Sequence, residues 1–190
     1  WSRGLGDVYK RQGYKDQNGQ WRTYITNIDG TEFVDLTPQD AKGAIIYGLT
    51  PDGTKAWGGF DDKNSHPHAF VTKVDGTGFL DLAPQGSTGS SIWGITPDGT
   101  KILGQFNDQN GQPHTFITKL DGTGFVDLIP REATGLFIGG ITLDGSGVWG
   151  NFSDQFSDQH FFVAKFDGTS FTDPVILIAS ALGVNDSDLQ

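Results

Sequence analysis

Two residue types that can bind metals or transfer protons recur at a fixed interval along this chain. A histidine series consists of His68, His114 and His160, which lie 46 residues apart. An aspartate series with the same spacing consists of Asp35, Asp81, Asp127 and Asp173. Such residues support metal binding or general acid–base catalysis when several of them converge on one point.

The spacing argues against convergence, because each repeat unit supplies only one histidine and one aspartate of these series. Equivalent positions in different units of a repeat array lie far apart. We therefore predict structural roles, with each histidine hydrogen-bonded to a turn of its own unit and each aspartate bound to a local backbone N–H or hydroxyl. No catalytic residue, metal ligand or cofactor is predicted.

The segments Asp16-Gln17-Asn18-Gly19 and Asp108-Gln109-Asn110-Gly111 resemble the opening of a calcium loop. A calcium loop needs further oxygen ligands and a closing glutamate, which do not follow here, and Lys63 lies inside the corresponding segment of another unit. A solvated hairpin turn is the preferred interpretation of both segments. Neither a Ser-His-Asp arrangement nor a phosphate-binding glycine loop is present in the sequence.

The elements that carry these residues belong to a repeat of constant length. Asp29-Gly30-Thr31 recurs at 75–77, 121–123 and 167–169, and Thr50-Pro51-Asp52-Gly53 recurs at 96–99 and, with Leu143 for proline, at 142–145. The predicted units are 41–86, 87–132 and 133–178. They follow a partial unit, 13–40, that holds the second half of the pattern.

Each unit contains four apolar runs that are bounded by turn residues. In the first complete unit the runs are Gly43 to Leu49, Lys55 to Phe60, His68 to Val74 and Gly78 to Leu82. The sequence therefore predicts an all-β fold of antiparallel four-stranded repeats. Units of this length are typical of β-propeller blades, which makes the chain an open arc of about three and a half blades. An elongated β-solenoid is the alternative fold.

Residues that differ between otherwise uniform units are the candidates for ligand contact. Tyr47 and Trp93 occupy one position of the first strand, and the third unit has Gly139 there. The first strands of blades line the central channel of a propeller, so these two aromatic residues are predicted to form a binding surface. Packing against the next blade is the other explanation of the same two residues.

The composition restricts the possible partners and compartments. The net charge is −10, with 13 basic and 23 acidic residues that form no basic stripe, so a nucleic-acid partner is not expected. The chain has no cysteine, which excludes disulfides and thiolate metal sites. No apolar run is long enough for a membrane span.

Both ends of the sequence depart from the repeat. Residues 1–12 resemble the translation of a sequencing-library adapter rather than native protein. The repeat pattern ends after Asp173, and 175–182 is compatible with a short helix that extends into a truncated tail, 179–190. We expect a fragment that is truncated at both ends and that self-associates through its open blade edges.

The motif His68-Ala69-Phe70 is echoed by His114-Thr115-Phe116 and His160-Phe161-Phe162. Together with the Thr-Pro-Asp-Gly and Asp-Gly-Thr turns, it resembles the HAF repeat family of bacterial proteins over residues 13–178. That resemblance implies an extracellular protein, in some members within an autotransporter passenger region, and implies no particular activity. The partial unit departs from the motif with Arg22-Thr23-Tyr24.

These patterns predict a non-enzymatic extracellular or cell-surface repeat protein whose propeller contacts a protein or glycan partner. The alternative is the scaffold of a propeller enzyme whose active-site residues lie partly outside this sequence. Propeller enzymes bring unlike residues from several blades into one pocket, whereas these units are nearly uniform. Uniformity favours a binding or architectural role.

Overall fold

The computed structural model describes residues 9–128, 135–142 and 144–166, and all of their regular structure is β. The first sheet contains β1 (Tyr9–Lys15), β2 (Trp21–Asn27) and β3 (Val34–Asp35), and the second contains β4 (Gly43–Leu49), β5 (Lys55–Asp61), β6 (Pro67–Lys73) and β7 (Leu80–Asp81). The third sheet contains β8 (Gly89–Ile95), β9 (Lys101–Asn107), β10 (Pro113–Lys119) and β11 (Val126–Asp127), and the fourth contains β12 (Gly135–Ile141), β13 (Gly147–Ser153) and β14 (Gln159–Lys165). Every pairing within these sheets is antiparallel.

The strands follow the sequence repeat without a shift, and the prediction of four antiparallel strands per unit is confirmed in units 41–86 and 87–132, while the described part of unit 133–178 contains the first three strands. The first strand of the first complete unit covers 43–49, as the apolar run predicted, although the fourth strand of that unit is reduced to two residues, 80–81. Aspartate and glycine produce the turns. Gly53 has a φ of 69° and donates its N–H to the Thr50 carbonyl at 2.8 Å, a conformation that glycine adopts at little cost.

The hydrophobic core lies between the sheets. Neighbouring sheets contact each other through the strand pairs β4 and β2, β8 and β6, and β12 and β10. In the repeat, β4, β8 and β12 are first strands, and β2, β6 and β10 are third strands. Each of these three interfaces has its own cluster of buried residues. At the centre of each cluster is a phenylalanine of the third strand that solvent hardly reaches, and the three are Phe70, Phe116 and Phe162. Each sheet is thus stabilised mainly by its neighbours, as in other repeat architectures.

The first sheet is longer than the sequence analysis predicted. Strand β1 begins at Tyr9, and Tyr9 to Gln12 pair with the backbone of Asn27 to Tyr24. The first sheet therefore has three described strands, and the first of them extends to the N-terminal side of residue 13. Backbone pairing does not depend on side-chain type, which explains why a stretch without sequence similarity to the repeat takes the position of the second strand.

Several predictions lie outside the described residues. These are the fourth-strand aspartate Asp173, the turn at 167–169 and the helix-compatible run at 175–182. In the part of the chain that the structure describes, no helix is long and apolar enough to cross a membrane.

The turn aspartates bear on how the stability of the fold should depend on pH. Hydrogen bonds from the Thr142 hydroxyl, and then from the backbone and side chain of Ser146, lower the pKa of Asp144 from 3.8 to about 2. The pKa values of Asp52 and Asp98, in the equivalent turns, are lowered for the same reason. Because the folded-state pKa is below the unfolded value, this stabilisation is complete above the unfolded pKa and is lost as the pH falls through the folded pKa.

We therefore expect the melting temperature to fall as the pH decreases through the unfolded-state pKa of 3.8 towards 2. Calorimetry across this range provides the measurement, with Asp144→Asn as a variant that should lose part of the pH dependence. The decrease should persist in high salt, since hydrogen bonds inside a turn are screened less than long-range charge repulsion. A melting temperature that does not change over this window would contradict the role of the turn carboxylates.

Candidate binding surface on the first strands

Tyr47 and Trp93 lie on strands that form the edge of their sheets. The second sheet has the order β4-β5-β6-β7 and the third has β8-β9-β10-β11, so each first strand has a paired neighbour on one side only. Both side chains are partly open to solvent, with 42% of Tyr47 and 41% of Trp93 exposed. The structure thus places these two candidate residues on an accessible edge, in two adjacent sheets.

A β-bulge occurs at this same position in three sheets. In the second sheet Ile46 pairs with Gly58 and Gly48 pairs with Trp57, so that Tyr47 has no partner on β5. The register shifts in the same way around Trp93 and around Gly139. Bulges redirect side chains and are frequent at sheet edges and binding sites. The position that differs between the units is therefore the bulge position. The bulge redirects the side chain at this position away from the regular alternation of the strand.

A glycine on the second strand makes each bulge possible. A Cβ at Gly58 would collide with the Ile45 carbonyl, a Cβ at Gly104 with the Ser91 carbonyl, and a Cβ at Gly150 with the Phe137 carbonyl. Glycine is the residue that allows two backbones to approach this closely. The recurrence of glycine every 46 residues thus follows from the bulge that it faces.

Grooves run along these edges, between the first strands of neighbouring sheets. One groove, with a volume of about 430 Å3, is lined by Trp21, Ile45, Tyr47, Asp61 and Ser91, among others. A second, of about 460 Å3, is lined by Trp93, Leu103 and residues 137–141 of β12, among others. Exposed aromatic side chains therefore form the walls of two separate grooves that belong to successive interfaces.

The histidine and aspartate series, which the sequence analysis treated separately, meet within each complete described unit. His68 Nδ1 lies 2.7 Å from Asp81 Oδ2, and His114 Nδ1 lies 2.7 Å from Asp127 Oδ2. The imidazole also packs on a phenylalanine of the second strand, with ring centroids 5.1 Å apart for Phe60 and His68. In these two units the histidine bonds the fourth strand of its own sheet, whereas the predicted partner was a turn. His160 has a partner in the turn of its own unit, with Nε2 3.3 Å from Asp154 Oδ2.

Two aspartates of this series also bind the backbone, as the sequence analysis proposed. Asp81 Oδ1 accepts the N–H of Ala83 at 2.9 Å, and Asp35 Oδ1 accepts the N–H of Thr37 at 2.8 Å. A second aspartate, Asp62, lies 3.9 Å from His68 Nε2 and accepts backbone N–H groups from Asn64 and His66 within its own turn. The hydrogen bond from the His66 backbone is the main cause that lowers the pKa of Asp62.

The unit that lacks the histidine uses an arginine in its place. Arg22 is equivalent to His68, and its Nε donates to Asp16 Oδ2 at 3.0 Å. Asp16 is the turn residue that corresponds to Asp62, and it accepts the backbone N–H groups of Asn18 and Gln20. The segment that resembles a calcium loop is thus closed on itself, with its first carboxylate bound to its own turn and to a neighbouring cation.

These side chains do not converge on a common centre. Among residues 9–128, 135–142 and 144–166, no three histidine, aspartate or glutamate side chains are grouped so that they could hold a metal ion. Each His–Asp pair is confined to one sheet, since both members come from the same unit. The pairs therefore fasten the third strand to the fourth and are suited to a structural role.

No family model matches the chain, and no curated protein matches it. Among solved structures it is similar to a putative TolB from Agrobacterium tumefaciens, with 14% identity and a TM-score of 0.53 over 88% of this chain and 61% of that one. It is similar also to TolB from Acinetobacter baumannii, with 15% identity and a TM-score of 0.52 over 88% of this chain and 42% of that one. The four sheets are blades of a β-propeller. At these identities the likeness shows the fold alone, and the chain spans less than two thirds of either TolB.

The blade assignment confirms the predicted fold class, an open arc of a β-propeller, and rejects the solenoid alternative. The two TolB structures do not test the resemblance to HAF repeats, which remains a prediction. Two features of the site were missed in the sequence. The constant separation of 13 residues between His68 and Asp81, and again between His114 and Asp127, was a signal for the pairs. The recurrent glycine opposite each first strand was a signal for the bulge.

We expect His114→Ala to lower the stability of the chain by about 1 kcal/mol, because one partly exposed hydrogen bond to Asp127 is lost. Thermal unfolding provides the measurement. His66→Ala is the matched control, since His66 is exposed and its Nδ1 lies 3.8 Å from Asp62. Metal-dependent stabilisation that disappears in His114→Ala would contradict the structural role of this residue.

Proposed function

We propose that this chain is part of a non-enzymatic bacterial repeat protein, extracellular or on the cell surface, whose propeller presents its first-strand edges to a protein or glycan partner. The proposal rests on the aromatic residues at the bulges of the first strands. Tyr47 and Trp93 are unlike residues at equivalent bulge positions in nearly uniform units, and both are exposed. Exposed aromatic rings beside a groove are typical of recognition surfaces. The extracellular location rests on the resemblance to HAF repeats.

Site-specific photocrosslinking tests the binding surface. A photoreactive phenylalanine analogue at position 47 or 93 should form adducts in cells, whereas the same analogue at Phe156, an exposed residue of a turn in the fourth blade, should not. Adducts at position 156 alone, with none at 47 or 93, would contradict the proposed surface. Digestion of the protein by protease added to intact cells tests its location, and complete protection would contradict an extracellular site.

A propeller enzyme remains the second candidate, because His68 lines the groove of about 430 Å3 and is hydrogen-bonded to Asp81. A His–Asp pair can act as a general base when a substrate reaches the imidazole. A turnover that the purified chain shows and that His68→Ala abolishes, while His114→Ala retains it, would favour this candidate. The same pair recurs in the next blade, which fits a structural element of the repeat better than a single active site.

A further inference from the structure

The groove of about 430 Å3 along β4, the edge strand of the second blade, combines aromatic and polar side chains. Trp21 and Tyr47 contribute rings, and Gln20, Lys42, Asp61 and Ser91 contribute donors and acceptors. Its volume of about 430 Å3 lies within the range of ~300–1,000 Å3 that is usual for small-molecule sites. Lys42 and Asp61 have opposite charges, so the lining has no excess of either sign. A neutral ligand with many hydroxyl groups matches such a lining.

The Tyr47 ring is held in place before any ligand arrives. It lies across Gly59, where an added Cβ would be 2.8 Å from the Tyr47 hydroxyl oxygen, and its ring centroid is 6.0 Å from that of Trp57 in an edge-on arrangement. The absence of a side chain at Gly59 leaves room for the ring, and the contact with Trp57 restricts its rotation. A fixed ring that is 42% exposed costs little conformational entropy when a flat apolar face stacks on it.

Two other ligand classes fit this edge less well. An extended peptide would have to continue the sheet along β4, but the bulge at Tyr47 interrupts the row of backbone groups that strand addition requires. A polyanion would meet a chain with a net charge of −10 and a groove whose lysine already donates to Ser65 at 2.8 Å. Neither objection applies to an uncharged saccharide, which stacks its C–H face on a ring and uses its hydroxyls for hydrogen bonds.

We propose that this groove binds a neutral saccharide, with the ring of Tyr47 as the stacking platform and the polar groups of Gln20, Asp61 and Ser91 as hydrogen-bonding partners. The inference rests on the proposed function, since it names the ligand class of the same surface. The next blade offers a second platform one repeat later, where Trp93 and Phe137 line a more apolar groove. Two platforms on one chain favour a polysaccharide, because a repeating ligand can occupy both at once.

The test uses affinity electrophoresis in gels that contain xyloglucan, galactomannan or dextran, with polygalacturonate and heparin as polyanionic counterparts. At least one neutral polysaccharide should retard the chain, and Tyr47→Ala should weaken that binding about tenfold, the effect of losing one aromatic contact. Tyr47→Trp should retain the binding. Phe156→Ala, which removes an exposed aromatic ring elsewhere, is the control and should bind like the parent chain.

Retardation only by the polyanions, or binding to a neutral polysaccharide that Tyr47→Ala leaves unchanged, would overturn the saccharide proposal. If no polysaccharide binds and position 47 crosslinks to a protein, the ligand class is wrong while the binding surface stands. If no polysaccharide binds and neither position 47 nor 93 crosslinks to anything, both the ligand class and the proposed surface are wrong.

Discussion

Gly104→Ala is expected to destabilise the chain by about 3 kcal/mol or more, among the larger effects that a single added methyl group can have. The new Cβ would collide with the Ser91 carbonyl and would lie 2.6 Å from Cζ of Phe116. Phe116 is fully buried between the second and third blades, so neither neighbour can move without disturbing the core. Chemical denaturation followed by tryptophan fluorescence would measure the loss.

Gly94→Ala is the matched control for this substitution. Gly94 belongs to the same blade and lies beside the bulge, but a Cβ there would meet no atom within 4 Å. Its effect should therefore be small. If Gly104→Ala yields no folded protein, Gly58→Ala tests the same close approach in the preceding blade, where the collision is with the Ile45 carbonyl. Equal stability of the Gly104 and Gly94 variants would contradict the described bulge.

Self-association is the second large effect that we expect, and it should depend on the outer face of the fourth blade. Phe161 and Val163 are 55% and 36% exposed, whereas the equivalent Thr115 and Ile117 of the third blade are each 1% exposed beneath the following sheet. A bare apolar face of about 400 Å2 corresponds to ~10 kcal/mol of stabilisation that a covering surface would provide. The chain should therefore form oligomers whose mass increases with concentration, as light scattering after size-exclusion chromatography would show.

The double variant Phe161→Thr and Val163→Thr should shift these oligomers towards the monomer. Threonine at position 161 copies Thr115, which the third blade accepts at the equivalent site. Phe156→Ser is the control, because Phe156 is the most exposed of the large apolar side chains in the described residues but lies in a turn, away from the blade face. A double variant that associates as strongly as the parent chain would exclude this face as the contact surface.

The strands could be predicted from the sequence because aspartate–glycine turns and apolar runs are local features. Gly43 to Leu49 is both the predicted run and the observed strand β4, and the turn at Asp52-Gly53 lies where the sequence placed it. The exposed edge for Tyr47 and Trp93 followed from the general architecture of blades. Local turn chemistry and a strict repeat together determine the order and register of such strands.

Features that depend on contacts between distant backbones were not predicted. The bulge at Tyr47 arises where β4 passes Gly58, and the sequence alone does not show which strand position absorbs an extra residue. The link between His68 and Asp81 requires the register of the third and fourth strands, in which Phe70 pairs with Asp81. The strand at Tyr9 to Gln12 is stabilised by backbone bonds to β2, which no side-chain pattern reveals.

The central claim is that these repeats are blades of an open arc, each stabilised by the blade or blades next to it. Hydrogen exchange along the chain, measured by mass spectrometry at a concentration where it is monomeric, tests this claim most directly. We predict the slowest exchange in β6, β8, β9 and β10, whose residues form the central interface, and the fastest exchange of strand amides in β1 and β14. Uniform protection of all these strands in a compact monomer would show that the arc closes, and would contradict the account.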